Sequence, residues 1–296
     1  IVLSWLGGSR LFELKTVQVL DELEIARPCI DMQTVGYNIE WSQELLIAQS
    51  VEEYTKAWMI IEILRNWEPL REHVGHPNTG DAGPHVFDMS VGYDLAGIRT
   101  LKVAGFIDAM RDASAEIERL RPEIAADPSG VFAQFADLKF SPTISDTVTL
   151  STFHGCPPDE IEQITKHLID EHDLDMIVKL NPTLLGPERV AEIVHGELGY
   201  ADVKLVPKAF EEDLQLERAI SLIGELNTYA KDRNHRFGIK LTNTLVVDNH
   251  KQWMPDQTMY LSGPPLHVLA TAVLDMLADA LPGQLMIPGH DGDIMV

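Results

Sequence analysis

Cysteine is scarce in this 296-residue chain. Cys29 and Cys156 stand far apart and in no CxxC pattern, which excludes a zinc ribbon or an iron–sulfur centre from this stretch. Free thiols in a cytoplasmic protein fit two such residues better than one long-range disulfide. Basic residues are also few. Lys and Arg number 23 against 46 Asp and Glu, for a net charge of −23. That balance argues against nucleic acid and anionic membrane surfaces, because phosphate binding needs clustered cations. No apolar run reaches bilayer length, so the chain reads as soluble. The dinucleotide fingerprint GxGxxG is missing, and Gly7-Gly8 follows no strand pattern, which leaves an open doubly wound sheet as the weaker α/β reading. Neither a Met nor a charged leader precedes Ile1, and Asp291–Val296 brings no closing element. The sequence reads as a piece of a longer polypeptide.

What is present is alternation. Short strand-like runs fall at 11–18, 86–91, 147–152, 176–180 and 237–242, with a last one at 285–287. Helical patterns fill most of the space between them, at 43–67, 105–120, from Cys156 onward, in two stretches within 187–236, and at 265–281. Residues 203–206 read as a short strand between those two stretches. His73 to Pro84 is a Gly/Pro/Asn-rich loop, and Asp127-Pro128-Ser129-Gly130 marks a break. About six strand–helix units predict a parallel sheet wrapped by helices. The fold expected is α/β, a (β/α)8 TIM-type barrel incomplete at both ends. It forms one domain over 1–296, with insertions near 113–146 and 187–212.

Two lysines end apolar runs that read as buried: Leu11-Phe12-Glu13-Leu14-Lys15-Thr16 and Met176-Ile177-Val178-Lys179-Leu180-Asn181-Pro182. At the carboxyl end of a barrel strand an ammonium meets the ligand-binding mouth. It needs an anionic or strongly polar partner there, and reduced flavin, with negative charge at N1 and O2, is a natural candidate. Snorkelling to solvent is the plainer reading of either lysine alone. Polar residues gather at the same ends of the other strands: Ser90, Ser151-Thr152-Phe153-His154-Gly155-Cys156 and Thr242-Asn243-Thr244. Turn chemistry accounts for Thr242 and Asn243 but poorly for the lysines.

Cys156 sits where a helix N-terminus would lower its pKa, which makes it a candidate proton donor or acceptor; a buried inert thiol is the alternative. His154 either bonds a substrate or caps the strand end. Asn38 and Glu40 share one side of an extended segment, where an amide and a carboxylate read the edge of an amide-bearing heterocycle. His154, His290 and Asp291 offer a thin metal-site reading, that of a barrel lyase or hydrolase.

Four segments together, Phe12 to Gln18, Ser151 to Pro158, Val178 to Gly186 and Lys240 to Leu245, resemble the FMN barrel of dihydropyrimidine dehydrogenase and dihydroorotate dehydrogenase. The likeness is greatest to the bacterial family named "putative selenate reductase, large subunit", and it runs through most of the chain. The resemblance implies an FMN-linked, dihydropyrimidine dehydrogenase-like oxidoreductase passing hydride between flavin and a small purine- or pyrimidine-like substrate.

By the same resemblance Lys15, Thr16, Lys179, Thr242 and Gly263 hold FMN, and Asn38, Glu40, His154, Asn243 and Thr244 face substrate. Cys156 or Ser151 exchanges the proton. The family's Ser-Gly-Gly is replaced by Pro288–Gly292, where the Gly289 amide is the candidate phosphate cradle. Full-length relatives imply FAD, NADPH and iron–sulfur modules, and a molybdenum-dependent hydroxylase as partner. The alternative is a barrel that has lost FMN and joins redox modules or subunits as a scaffold.

Overall fold

The computed structural model describes residues 1–17, 19–22, 27–39, 45–73, 85–152 and 154–282. The described strands, in chain order, are β1 (Leu11–Glu13), β2 (Tyr37–Asn38), β3 (Val86–Val91), β4 (Thr147–Ser151), β5 (Asp175–Leu180), β6 (Phe237–Leu241), β7 (Leu245–Asp248) and β8 (Thr258–Leu261). The helices are α1 (Val2–Leu6), α2 (Ile47–Asn66), α3 (Glu68–His73), α4 (Leu95–Ile98), α5 (Leu101–Arg111), α6 (Ser114–Ala125), α7 (Pro158–His172), α8 (Gly186–Ala191), α9 (Pro207–Glu212), α10 (Leu216–Lys231) and α11 (Pro264–Ala280).

Five strands form a parallel sheet in the order β1-β3-β4-β5-β6. Its side chains alternate as the pleat requires. Phe87, Met89 and Val91 of β3, Val148 and Leu150 of β4, and Met176, Val178 and Leu180 of β5 enter the main apolar core with the helices. The residues between them form a mostly polar second face: Asp88 and Ser90, then Thr147, Thr149 and Ser151, then Lys179, then Lys240. Register sets Ser151 beside Lys179 and Lys179 beside Lys240. Glu13, from the first strand of the sheet, is ion-paired with Lys240 of the last. Two ends of a five-stranded sheet meet only if the sheet curls, which gives the wall of a barrel with its polar face inside. The α/β barrel architecture expected from the strand–helix alternation is the one observed.

A smaller antiparallel sheet, β2-β8-β7, was not foreseen. It buries Tyr37, Leu245, Val247, Met259 and Leu261 in a second core against Val190, Ile193 and Val194. Residues 187–212, read as an insertion, supply most of what lies beneath it. The strand expected at 203–206 contributes one bridge, Leu205 to Val247.

Several boundaries move. The helix expected at 105–120 divides at Asp112–Ala113, where the Asp112 carboxylate accepts the amide of Ser114, the first residue of α6, at 3.0 Å. The strand expected over 11–18 pairs at 11–13, with Val17 returning to bridge Val91. Pro158 takes the first helical position of α7, two residues beyond Cys156. The loop at 74–84 and the strand expected at 285–287 lie outside the described residues.

Candidate functional site

At the carboxyl ends of the parallel strands lies a cavity of about 710 Å3, lined by Glu13, Leu14, Lys15, Thr16, Asn38, Gly92, Tyr93, Asp94, Ser151, Thr152, Lys179, Asn243 and Thr244. Its size lies within the range of about 300–1,000 Å3 usual for small-molecule sites. The two lysines read from opposite halves of the sequence therefore converge. Lys15 is exposed within this mouth rather than buried, because the strand has already ended at Glu13; Lys179 is half-buried.

Hydroxyls tie the floor together. Thr16 Oγ1 lies 2.6 Å from Ser90 Oγ, which lies 3.2 Å from Ser151 Oγ. Gly92 closes in beside them: a Cβ there would stand 3.0 Å from both the Ser151 carbonyl and the Thr16 methyl. Below, Asp88 is 1% exposed and accepts hydrogen bonds from Thr147 Oγ1 at 2.7 Å and Thr149 Oγ1 at 2.5 Å. Burial pushes its carboxyl up to about 6, against the pull of those two hydroxyls. Burial also draws the Lys240 ammonium below its usual range.

The far wall is a set of amides. Asn243 Nδ2 donates to the Thr152 carbonyl at 3.1 Å and to Asn181 Oδ1 at 2.8 Å. Thr152 Oγ1 donates to the Lys179 carbonyl at 3.0 Å, so the ends of β4, β5 and β6 are knitted together. Asn38 Nδ2 likewise donates to the carbonyls of Gly36 at 3.0 Å and Tyr260 at 3.3 Å. Backbone carbonyls can only accept, which fixes the orientation of both amides. Both Nδ2 groups are thereby committed to protein acceptors, and both residues line the cavity. The hydroxyls of Thr242 and Thr244 are buried with no partner among the described residues.

Other residues singled out in the sequence fall elsewhere. Cys156 is 4% exposed and does not line the cavity; burial, with Glu160 and Asp213 nearby, pushes its thiol up to about 12. The lowered pKa expected from the helix N-terminus is thus reversed by desolvation and like charge. Gly263 serves a backbone crossing rather than the cavity, since a Cβ on it would lie 2.2 Å from the Thr34 carbonyl oxygen. Thr242 and His154 are likewise outside the lining. Glu40, Gly289, His290 and Asp291 lie outside the described residues, and no cluster of metal-ligating side chains occurs among those that are described.

Sequence reasoning missed Glu13, Asp88, Gly92, Lys240 and Asp213. The first four could have been found from the period-2 alternation, which sets them on the inner face. Asp213 carries no local signal.

No helix among the described residues is long and apolar enough to cross a membrane. A family profile described as oxidoreductase YgfK, N-terminal TIM-barrel domain, matches residues 1–292. Two curated relatives carry the name "Putative oxidoreductase YgfK", one from Escherichia coli (strain K12) and one from Escherichia coli O157:H7. Each is 40% identical over 308 residues, covering 99% of this chain and 29% of the relative. The chain thus spans under a third of the length of the proteins it matches.

Proposed function

The chain belongs to the oxidoreductase YgfK N-terminal TIM-barrel domain family, and from that premise we propose that its cavity binds FMN and a small heterocyclic substrate, as part of a larger electron-transfer protein. The observation that carries this reading is the convergence of Lys15 and Lys179 on one cavity at the carboxyl ends of the strands. FMN would supply the two-electron redox chemistry, and the barrel its binding and orientation.

The residues present suit that group. Cationic side chains favour a ring system that gains negative charge on reduction. The orphaned hydroxyl of Thr244, buried just beyond β6 on a residue that lines the cavity, suits a polar partner of the kind a ribityl chain or carbonyl-bearing ring offers. Lys15 and Lys179 would stabilise the anionic reduced form, and Thr16 and Ser151 would position it through their shared hydroxyl chain.

With their Nδ2 groups bonded to protein acceptors, Asn38 and Asn243 would offer their carbonyl oxygens to a substrate with N–H donors. A purine- or pyrimidine-like compound fits that requirement. The further FAD, NADPH and iron–sulfur modules, and a molybdenum-dependent hydroxylase as partner, belong to this proposal through the greater length of the relatives.

The test is acid extraction of the full-length protein followed by chromatography, with Lys179→Ala in parallel. About one FMN per chain in the parent and its loss or weakening in the variant are expected. Absence of FMN from the complete protein would overturn the reading in favour of a scaffold that joins redox modules.

A further inference from the structure

The cavity wall is mostly polar, and among the described residues that line it stands a single aromatic ring, that of Tyr93. Tyr93 follows β3 and is 40% exposed. A large ring left this open forgoes the burial that aromatic side chains usually find, and it recovers that burial when a ligand covers it.

The backbone on either side of Tyr93 is pinned. Gly92 packs so closely that a Cβ on it would stand 3.0 Å from the Ser151 carbonyl oxygen and from the Thr16 methyl. On the other side the Asp94 carboxylate accepts the Gly97 amide at 2.7 Å, and the Leu95 amide donates to Glu160 Oε1 at 2.7 Å. The near edge of the ring lies over Gly97. A Cβ at that position would meet Tyr93 Cδ1 at 2.2 Å and Cγ at 2.9 Å, with Val19 Cγ2 at 2.8 Å beside them. Glycine alone leaves room for the ring there. A ring held on a pinned turn has little conformational freedom left to lose when a ligand arrives.

Its neighbours indicate which ligand ring it meets. Gly92 touches Thr16 and Ser151, the two residues whose hydroxyl chain would position the flavin. Isoalloxazine is planar and electron-poor, the phenol is electron-rich, and offset stacking of two such rings is favourable. We propose that Tyr93 is the aromatic contact for the flavin ring in this cavity, held in place by the absence of a side chain at Gly97. This rests on the redox reading above.

The test uses the full-length protein, depleted of flavin and titrated with FMN alone. Tyr93→Leu should weaken binding about three- to tenfold, the size of one aromatic stack. Tyr93→Phe keeps a ring and should bind like the parent. Unchanged affinity in Tyr93→Leu would overturn the proposal, and so would equal losses in the two variants.

A second readout separates contact from mere support. A phenol touching excited isoalloxazine gives it one electron, takes it back and so quenches the emission; a benzene ring, far harder to oxidise, does not. The fluorescence lifetime of bound FMN should therefore lengthen in Tyr93→Phe, and an unchanged lifetime would overturn the contact. Gly97→Ala changes no residue lining the cavity, and the atoms its methyl meets belong to side chains that can swing aside. It should weaken FMN binding in the parent but not in Tyr93→Leu. Equal effects in both backgrounds would count against the proposal. Failure of FMN to bind the parent would sink the redox reading and this contact together, whereas bound FMN indifferent to Tyr93 would sink the contact alone.

Discussion

Glu13 and Lys240 are ion-paired although they sit on the first and last strands of the five-stranded parallel order. Their side chains are 27% and 30% exposed, between the surface and buried regimes. A double-mutant cycle on Glu13→Gln and Lys240→Gln should therefore give a coupling of about 1–2 kcal/mol in urea unfolding. Additive effects would mean that the pair does not hold the curvature of the sheet.

Asp88 makes stability depend on pH in an unusual direction. Its carboxyl rises from 3.8 to about 6 on folding, so the folded state binds the proton more tightly than the unfolded one. Its contribution is fully present below pH 3.8 and is lost as pH climbs through 6; the difference is about 3 kcal/mol from the size of the shift. Asp88→Asn should thus gain stability over the parent at pH 7.5 relative to pH 4. Parallel stability–pH curves for the two proteins would contradict this.

Cys156 should resist chemistry that Cys29 accepts. With one thiol 4% exposed and pushed up to about 12, and the other half-buried, iodoacetamide at pH 8 should label one site on the folded chain. Both should react in guanidinium. Rapid labelling of Cys156 in the native protein would restore it as a reactive thiol.

Gly263→Ala should destabilise by about 1–3 kcal/mol, because the new methyl meets backbone rather than a movable side chain. The clash is with the Thr34 carbonyl oxygen at 2.2 Å and the Val35 carbonyl carbon at 2.8 Å, just where β2 meets β8. Thermal melting decides it, and Gly105→Ala, where the methyl would meet nothing within 4 Å, is the matched control.

Asn243→Ala should loosen the site more than it loosens the fold. The lost amide leaves the Thr152 carbonyl without that donor, at a cost of about 1–2 kcal/mol. Retention of the proposed FMN on gel filtration should fall further than the melting temperature suggests. Equal losses in both would reduce Asn243 to a structural tie.

The strand–helix alternation and the polar strand ends were readable residue by residue, because a pleated strand against helices imposes its period on local sequence. Val86–Val91 and Thr147–Ser151 show it: their apolar members pack outward, and Asp88, Thr147 and Thr149 turn inward. Phe12 to Thr16 and Val178 to Asn181 announced a cationic mouth for the same reason. The antiparallel sheet was not readable, since β2 is two residues long and finds its partner β8 more than 200 positions away.

What the sequence by itself determined is the barrel wall and the side on which its chemistry gathers, both consequences of a period-2 pattern. Tertiary structure decided the rest. It brought Lys15 to Lys179, Glu13 to Lys240 and Asp213 to His154, and it turned Cys156 from an activated thiol into a buried one. Those outcomes depend on which distant groups share a low-dielectric space, and neither burial nor a partner 59 residues away is written in local sequence.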